Sequence, residues 1–127
     1  MVNEDRQLQA TSRLLDKLGD RVRTESSELF HASYDGLKIR GSTSACIEVD
    51  DSEQVGEVLK LANEFQVPVT TKGAGSSLTG GATPIQGGWV LDLSKLNHLE
   101  LDEKNRIARC GPGVVVSNLQ SEAEKLG

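Results

Sequence analysis

Ten residues, Lys72-Gly73-Ala74-Gly75-Ser76-Ser77-Leu78-Thr79-Gly80-Gly81, constrain this chain more than any other stretch. Four of them are glycine, and they directly follow the apolar segment Val67-Pro68-Val69. The order reads as a strand giving way to a loop that gathers several backbone N–H groups into one concavity, a shape suited to an anion. Glycine permits the positive φ angles of such a nest, and without a Cβ a diphosphate can approach the backbone closely. The loop is neither of the two commonest phosphate motifs. Lys72 precedes the glycines instead of following them as in GxxxxGK[ST], and Leu78 occupies the place where GxGxxG needs its last glycine. What remains is a backbone nest with the hydroxyls of Ser76, Ser77 and Thr79, and with Lys72 as a charge partner. The plain alternative is a glycine-rich turn with Lys72 as a solvated surface residue.

The flanking pattern gives the loop its context. Ala45-Cys46-Ile47-Glu48-Val49 is a short β-rich run. Asp51 and Gln54 have capping-box spacing, and Val55, Val58, Leu59, Ala62 and Phe65 then recur at helical intervals. Residues 67–71 form a second strand, with Pro68 tolerable near its start. Strand, helix and strand make a βαβ unit whose strands should lie parallel, so the glycine loop leaves the carboxyl end of a parallel strand, where open α/β sheets bind ligands.

Upstream, Leu8, Leu15 and Leu18, with Thr11 and Leu14 beside them, predict an amphipathic helix over 6–18 stopped by Gly19. Ser26-Ser27-Glu28 opens a short helix through Phe30, and Tyr34-Asp35-Gly36-Leu37 is a turn. Downstream, Gly88 to Leu93 is a buried strand with Trp89 packed in the core. Residues 99–101 and 106–110 pair as an antiparallel hairpin across Asp102-Glu103-Lys104-Asn105. Gly111-Pro112-Gly113 breaks the pattern before a last helix, 116–126, with Leu119, Ala123 and Leu126 on one face. The fold class is therefore α/β (α+β), a small parallel βαβ subdomain with an antiparallel hairpin.

Composition excludes several functions. At 127 residues the chain has the size of one domain, and a net charge of −5 with scattered Lys and Arg argues against a nucleic-acid partner. Cys46 and Cys110 have neither CxxC spacing nor a His ladder and are expected to be two buried thiols, with no metal site. The acidic N-terminus has no apolar leader, and no run reaches membrane-spanning length, so a cytoplasmic location is expected. His31 and His98 stand in no triad spacing, and Glu100, Asp102 and Glu103 form a solvated turn. No catalytic apparatus is apparent.

Several pieces together resemble the FAD-linked oxidases related to vanillyl-alcohol oxidase. They are Tyr34-Asp35-Gly36-Leu37, the helix 55–65, the stretch Val67 to Gly81, Val90-Leu91-Asp92-Leu93-Ser94-Lys95-Leu96-Asn97 and Gly111-Pro112-Gly113-Val114. Within that superfamily they are most similar to the branch that holds D-lactate dehydrogenase and the GlcD-type chain of glycolate oxidase. The resemblance implies the first part of a PCMH-type FAD-binding domain over 34–127, preceded by a helical segment over 1–33. FAD would lie between this subdomain and a larger antiparallel one. The loop Gly73, Ala74, Gly75, Ser76, Ser77 would hold the FAD diphosphate beside Lys72, with Gly80, Gly81 and Ala82 close to the cofactor. Ser76 stands where covalent members carry the flavin-linking His, so FAD would be held non-covalently. Lys72 replaces the branch's usual Arg and keeps the charge without the bidentate fork, and Asp50-Asp51 replaces a common proline.

The family's second flavin-binding segment would begin after Gly127, as would the substrate cap. The resemblance thus implies a truncated FAD-binding portion of a flavin-dependent oxidoreductase acting on a small 2-hydroxy acid. Alone, it is expected to bind FAD weakly or not at all and to be inactive. The alternative is a non-enzymatic module kept for oligomerisation or subunit pairing.

Overall fold

A computed structural model describes residues 3–127. Helix α1 (Glu4–Leu18) begins two residues before the apolar periodicity does, because the Asn3 side chain accepts the Arg6 N–H at 3.2 Å and caps it. Gly19, at φ 54°, ends it by donating its N–H to the Leu15 carbonyl. A two-residue strand β1 (Val22–Arg23) and the short helix α2 (Ser26–Ala32) follow. The βαβ unit then comprises β2 (Ala45–Glu48), α3 (Ser52–Phe65) and β3 (Val69–Lys72). Asp51 caps α3 by accepting the Gln54 N–H at 2.8 Å, while Gln54 Oε1 accepts from the Asp50 N–H at 3.0 Å. The capping box is therefore present with its return bond shifted by one residue.

The two strands of that unit are parallel but do not pair. Strand β4 (Trp89–Asp92) lies between them, giving the sheet order β1-β2-β4-β3, with β1 antiparallel to β2 and the other pairs parallel. The side-chain chemistry explains the insertion. Trp89, Val90 and Leu91 are wholly buried and need cover on both faces, which a central strand receives, whereas Thr70 and Thr71 on β3 suit an edge. Pro68 sits just before that edge strand, and its carbonyl accepts the Trp89 N–H at 2.8 Å.

Helix α1 turns a different face inward from the leucine stripe. Ala10, Thr11 and Leu14 are buried, Leu18 packs at the margin of the core, and Leu8 and Leu15 point outward, Leu8 being 73 % exposed. Small residues at 10 and 11 let the helix approach Trp89 closely enough for its indole N–H to donate to Thr11 Oγ1 at 3.0 Å. The Thr11 hydroxyl in turn donates to the Gln7 carbonyl at 2.8 Å. On α3 the buried set is Val58, Leu61 and Ala62, with Val55 and Phe65 at its margin and Leu59 exposed.

The hairpin pairs β5 (Leu99–Asp102) with β6 (Ile107–Cys110) in antiparallel register, Leu99 opposite Cys110. Asp102 closes its turn by accepting from the Asn105 N–H at 3.0 Å and from Asn105 Nδ2 at 2.7 Å. Every residue of β6 is exposed, so only Cys46 is a buried thiol and Cys110 is not. Burial, with the Asp92 charge nearby, pushes the Cys46 thiol up to about 11. Helix α4 (Val116–Glu124) ends before Leu126 and buries no residue.

An ion-pair network ties the carboxyl end of β2 to its neighbours. Glu48 meets Arg23 and Lys95 at 2.6 Å each, and Asp50 pairs with Arg21. The hydrogen bond from Lys95, assisted by Arg23, holds the Glu48 carboxyl below its ordinary range, and the Arg21 contact does the same for Asp50. Carboxylates with depressed folded-state pKa values add stability that is complete above the unfolded-state range and is lost as pH falls through the folded values. Urea midpoints measured from neutral pH downward should therefore decline across the acidic carboxylate range, and Glu48→Gln should flatten part of that decline. Thr11→Val should leave the Trp89 N–H buried without an acceptor and lower unfolding free energy by about 1–3 kcal/mol, read from the fluorescence of the single tryptophan during urea unfolding.

Candidate functional site

The carboxyl end of β3 runs straight into the glycine stretch, and β4 lies parallel beside it, so residues 73–88 form one excursion from the carboxyl end of the sheet back to its amino end. Backbone pairing supplies the central observation. Among the described residues, the amide N–H groups of Gly73, Ala74, Gly75, Ser76 and Ser77 donate to no protein acceptor. Ala74 and Ser76 are exposed and the other three are half-buried, so the donors border solvent. Backbone donors are normally paired within the protein or by water, and a consecutive run left for an external partner is what an anion nest presents.

A second segment shapes the loop from behind. The end of α2 and the turn after it, residues 31–37, run along the back of the glycine stretch. The Leu37 N–H donates to the Ser77 carbonyl at 3.1 Å. Gly36 lies so close that a Cβ there would stand 2.8 Å from the Ser77 carbonyl oxygen and 3.0 Å from that of Ser76. In a trans peptide the C=O and N–H point to opposite sides. Carbonyls turned toward this strap therefore turn the following amides, Ser77 and Leu78, away from it.

Lys72 lies beneath the loop. Its ammonium donates to the carbonyls of Tyr34 at 2.7 Å, His31 at 2.8 Å and Ala32 at 3.4 Å, and it stands 5.7 Å from the centre of the Tyr34 ring. A cation here meets the carbonyl-rich end of α2. Gly75, at φ +68°, rests on the lysine stem, where a Cβ would come 2.5 Å from Cε. The left-handed backbone selects glycine here.

The descending limb is held by a buried carboxylate. Asp35, 3 % exposed, accepts the Leu37 N–H on Oδ1 at 3.0 Å and the Ala82 N–H on Oδ2 at 3.4 Å. Burial pushes its carboxyl up, but the donors from Leu37 and Ala82, with the Thr83 and Ser77 hydroxyls, outweigh that and hold it below the usual range. Ser77 Oγ lies 3.1 Å from Thr79 Oγ1 and accepts the Thr79 N–H at 3.3 Å, and Gly81 packs beside both hydroxyls. The structure thus holds Lys72, Ser76 and Ser77 against the strap and anchors Ala82 to it, while Gly75 rests on the lysine stem, Gly73 faces the Pro112 carbonyl, Gly80 faces Leu37 and Gly81 packs beside the Ser77 and Thr79 hydroxyls. The sequence marked Tyr34 to Leu37 only as a turn; nothing local shows that Asp35 would be buried against residues 47 positions away.

The donor set fits a diphosphate, being neutral backbone amides in a glycine cradle over a lysine charge. Among the described residues no cluster of His, Cys, Asp and Glu is arranged to hold a metal ion. No helix of the described chain is long and apolar enough to cross a membrane.

The chain is 42 % identical over 81 residues to a D-lactate dehydrogenase of Archaeoglobus fulgidus, covering 64 % of this chain and 18 % of that protein. It is 37 % identical over 98 residues to a D-lactate dehydrogenase of Anaerostipes hadrus (75 % and 21 %), and 32 % over 97 residues to the glycolate oxidase subunit GlcD of Bacillus subtilis (75 % and 21 %). The chain thus spans about a fifth of the length of these relatives. Among solved structures, p-cresol methylhydroxylase with substrate bound superposes with a TM-score of 0.83 at 27 % identity, over 98 % of this chain and 25 % of that one. The architecture is that of PCMH-type FAD-binding domains. Residues 43–127, two thirds of the chain and the whole of the glycine excursion, match the FAD binding domain family, and the chain belongs to that family.

Proposed function

We propose that this chain cradles the diphosphate of FAD in a flavin-dependent oxidoreductase that acts on a small 2-hydroxy acid of the D-lactate or glycolate type. The observation that carries the reading is the run of unpaired amides from Gly73 to Ser77 at the carboxyl end of a parallel strand. These five N–H groups bind the diphosphate oxygens, and the Ser76 and Ser77 hydroxyls lie within the same loop. Lys72 lowers the local potential cost of two phosphate charges from beneath. Gly80, Gly81 and Ala82 flank the cofactor on the descending limb. Ser76 has no nucleophilic ring nitrogen to join the flavin, so FAD is held non-covalently. When bound, the flavin supplies the two-electron redox chemistry; the chain's own residues bind and orient it.

The names of the relatives support the substrate class, and the GlcD relative is itself named a subunit. A cytoplasmic location belongs to the same reading. One observation favours a second reading, a module for oligomerisation or subunit pairing. Strand β6 and helix α4 bury nothing and leave Ile107, Val115 and Val116 exposed. Light scattering after size-exclusion chromatography decides it, since a clean soluble monomer counts against self-association.

Titration of the chain with FAD should give weak flavin quenching and no bleaching by D-lactate or glycolate. Tight saturable binding with bleaching would overturn the claim that the chain is inactive alone. Gly36→Ala should drive a Cβ into two backbone carbonyls, destabilise the fold by about 1–3 kcal/mol, and remove the thermal shift conferred by millimolar ADP. An undiminished shift would mean that the strap does not shape the site.

A further inference from the structure

We propose that Asp35 is a positioning residue for the diphosphate loop, and that it acts through the shape of its carboxylate and in spite of its charge. The inference rests on the diphosphate reading above. Asp35 is buried, and among the described residues it forms no ion pair. Its partners are all neutral, and they span both sides of the site. Leu37 belongs to the strap, whereas Ala82 belongs to the glycine excursion.

An anion in this place opposes a second anion a loop's thickness away. Coulomb's law alone would favour Asn at this position. A carboxylate offers what an amide cannot, acceptor oxygens on both sides at once. Oδ1 takes Leu37, whose N–H is shared with the Ser77 carbonyl, and Oδ2 takes Ala82. Asn would present its NH2 to one of those two N–H groups, donor against donor, and release either the strap or the descending limb. Once the strap shifts, the Ser76 and Ser77 carbonyls lose their backing against Gly36 and Leu37, and the Ser77 amide at the end of the nest loses its direction. The charge and shape arguments thus predict opposite signs for the same substitution.

The test is Asp35→Asn in the full chain, with ADP and adenosine titrated to millimolar concentration by NMR. Amide exchange at Leu37 and Ala82 is followed in parallel. Wild type should prefer ADP to adenosine. The variant should lose about tenfold or more in ADP affinity, keep its adenosine affinity and Trp89 fluorescence, and exchange faster at Leu37 and Ala82 than in β2 and β4. Unchanged or tighter ADP binding overturns the proposal, because charge alone then governs. Equal loss of both ligands also overturns it, because the role is then merely structural. If wild type shows no preference for ADP, the diphosphate reading fails separately, and exchange at Leu37 and Ala82 still decides whether Asp35 holds the loop; unaltered exchange refutes it. Should Asp35→Asn fail to fold, Asp35→Glu keeps the charge and moves both acceptor oxygens out by one methylene. It should weaken ADP selectively by a smaller factor, and no selective effect overturns the proposal.

Discussion

Strand β4 is paired on both edges and sealed on both faces, and most of the architecture follows from that placement. Its apolar run Trp89-Val90-Leu91 cannot sit at the rim of a sheet without exposing large side chains, so it takes the centre and separates β2 from β3. The indole nitrogen of Trp89 then requires a buried acceptor, and Thr11 on α1 supplies it. That one polar contact sets the rotation of the helix. The inward face becomes Ala10, Thr11 and Leu14, and the more conspicuous leucines at 8 and 15 are left outside.

Central placement of β4 also shapes the functional end of the molecule. The chain must leave β3 at the sheet's carboxyl edge and travel back to the opposite end before entering β4 in parallel register, so a long excursion is unavoidable. Its first residues are the glycine loop. The strap formed by residues 31–37 makes that excursion specific. It holds carbonyls of the loop on one side through Leu37 and the closeness of Gly36, receives Lys72 beneath, and ties the far limb through Asp35. In the proposed diphosphate site most donors are main-chain amides, and the precision of such donors comes from this kind of backing.

The other half of the molecule is less enclosed. β6 and α4 bury no side chain, and the hairpin is held mainly by its own ladder and by the Asp102–Asn105 turn. An isolated two-stranded hairpin is marginal in water. Stability is therefore concentrated in the four-stranded sheet and the two helices packed on it, while the region after residue 98 adds surface more than core.

Much of this was legible in the residues themselves. Short-range chemistry marked the elements: Asp51 before α3, Gly19 after α1, the polar turn between β5 and β6, and the glycine stretch after an apolar strand. These signals lie within a few positions of one another, so a linear reading captures them. The sequence by itself determined the parallel βαβ grammar and the glycine loop that follows its second strand. Tertiary structure decided the order of the strands, the buried face of α1, the exposure of Cys110, and the burial of Asp35 against Ala82. Each of those depends on groups brought together from distant parts of the chain, where desolvation and hydrogen-bond satisfaction outweigh local preference.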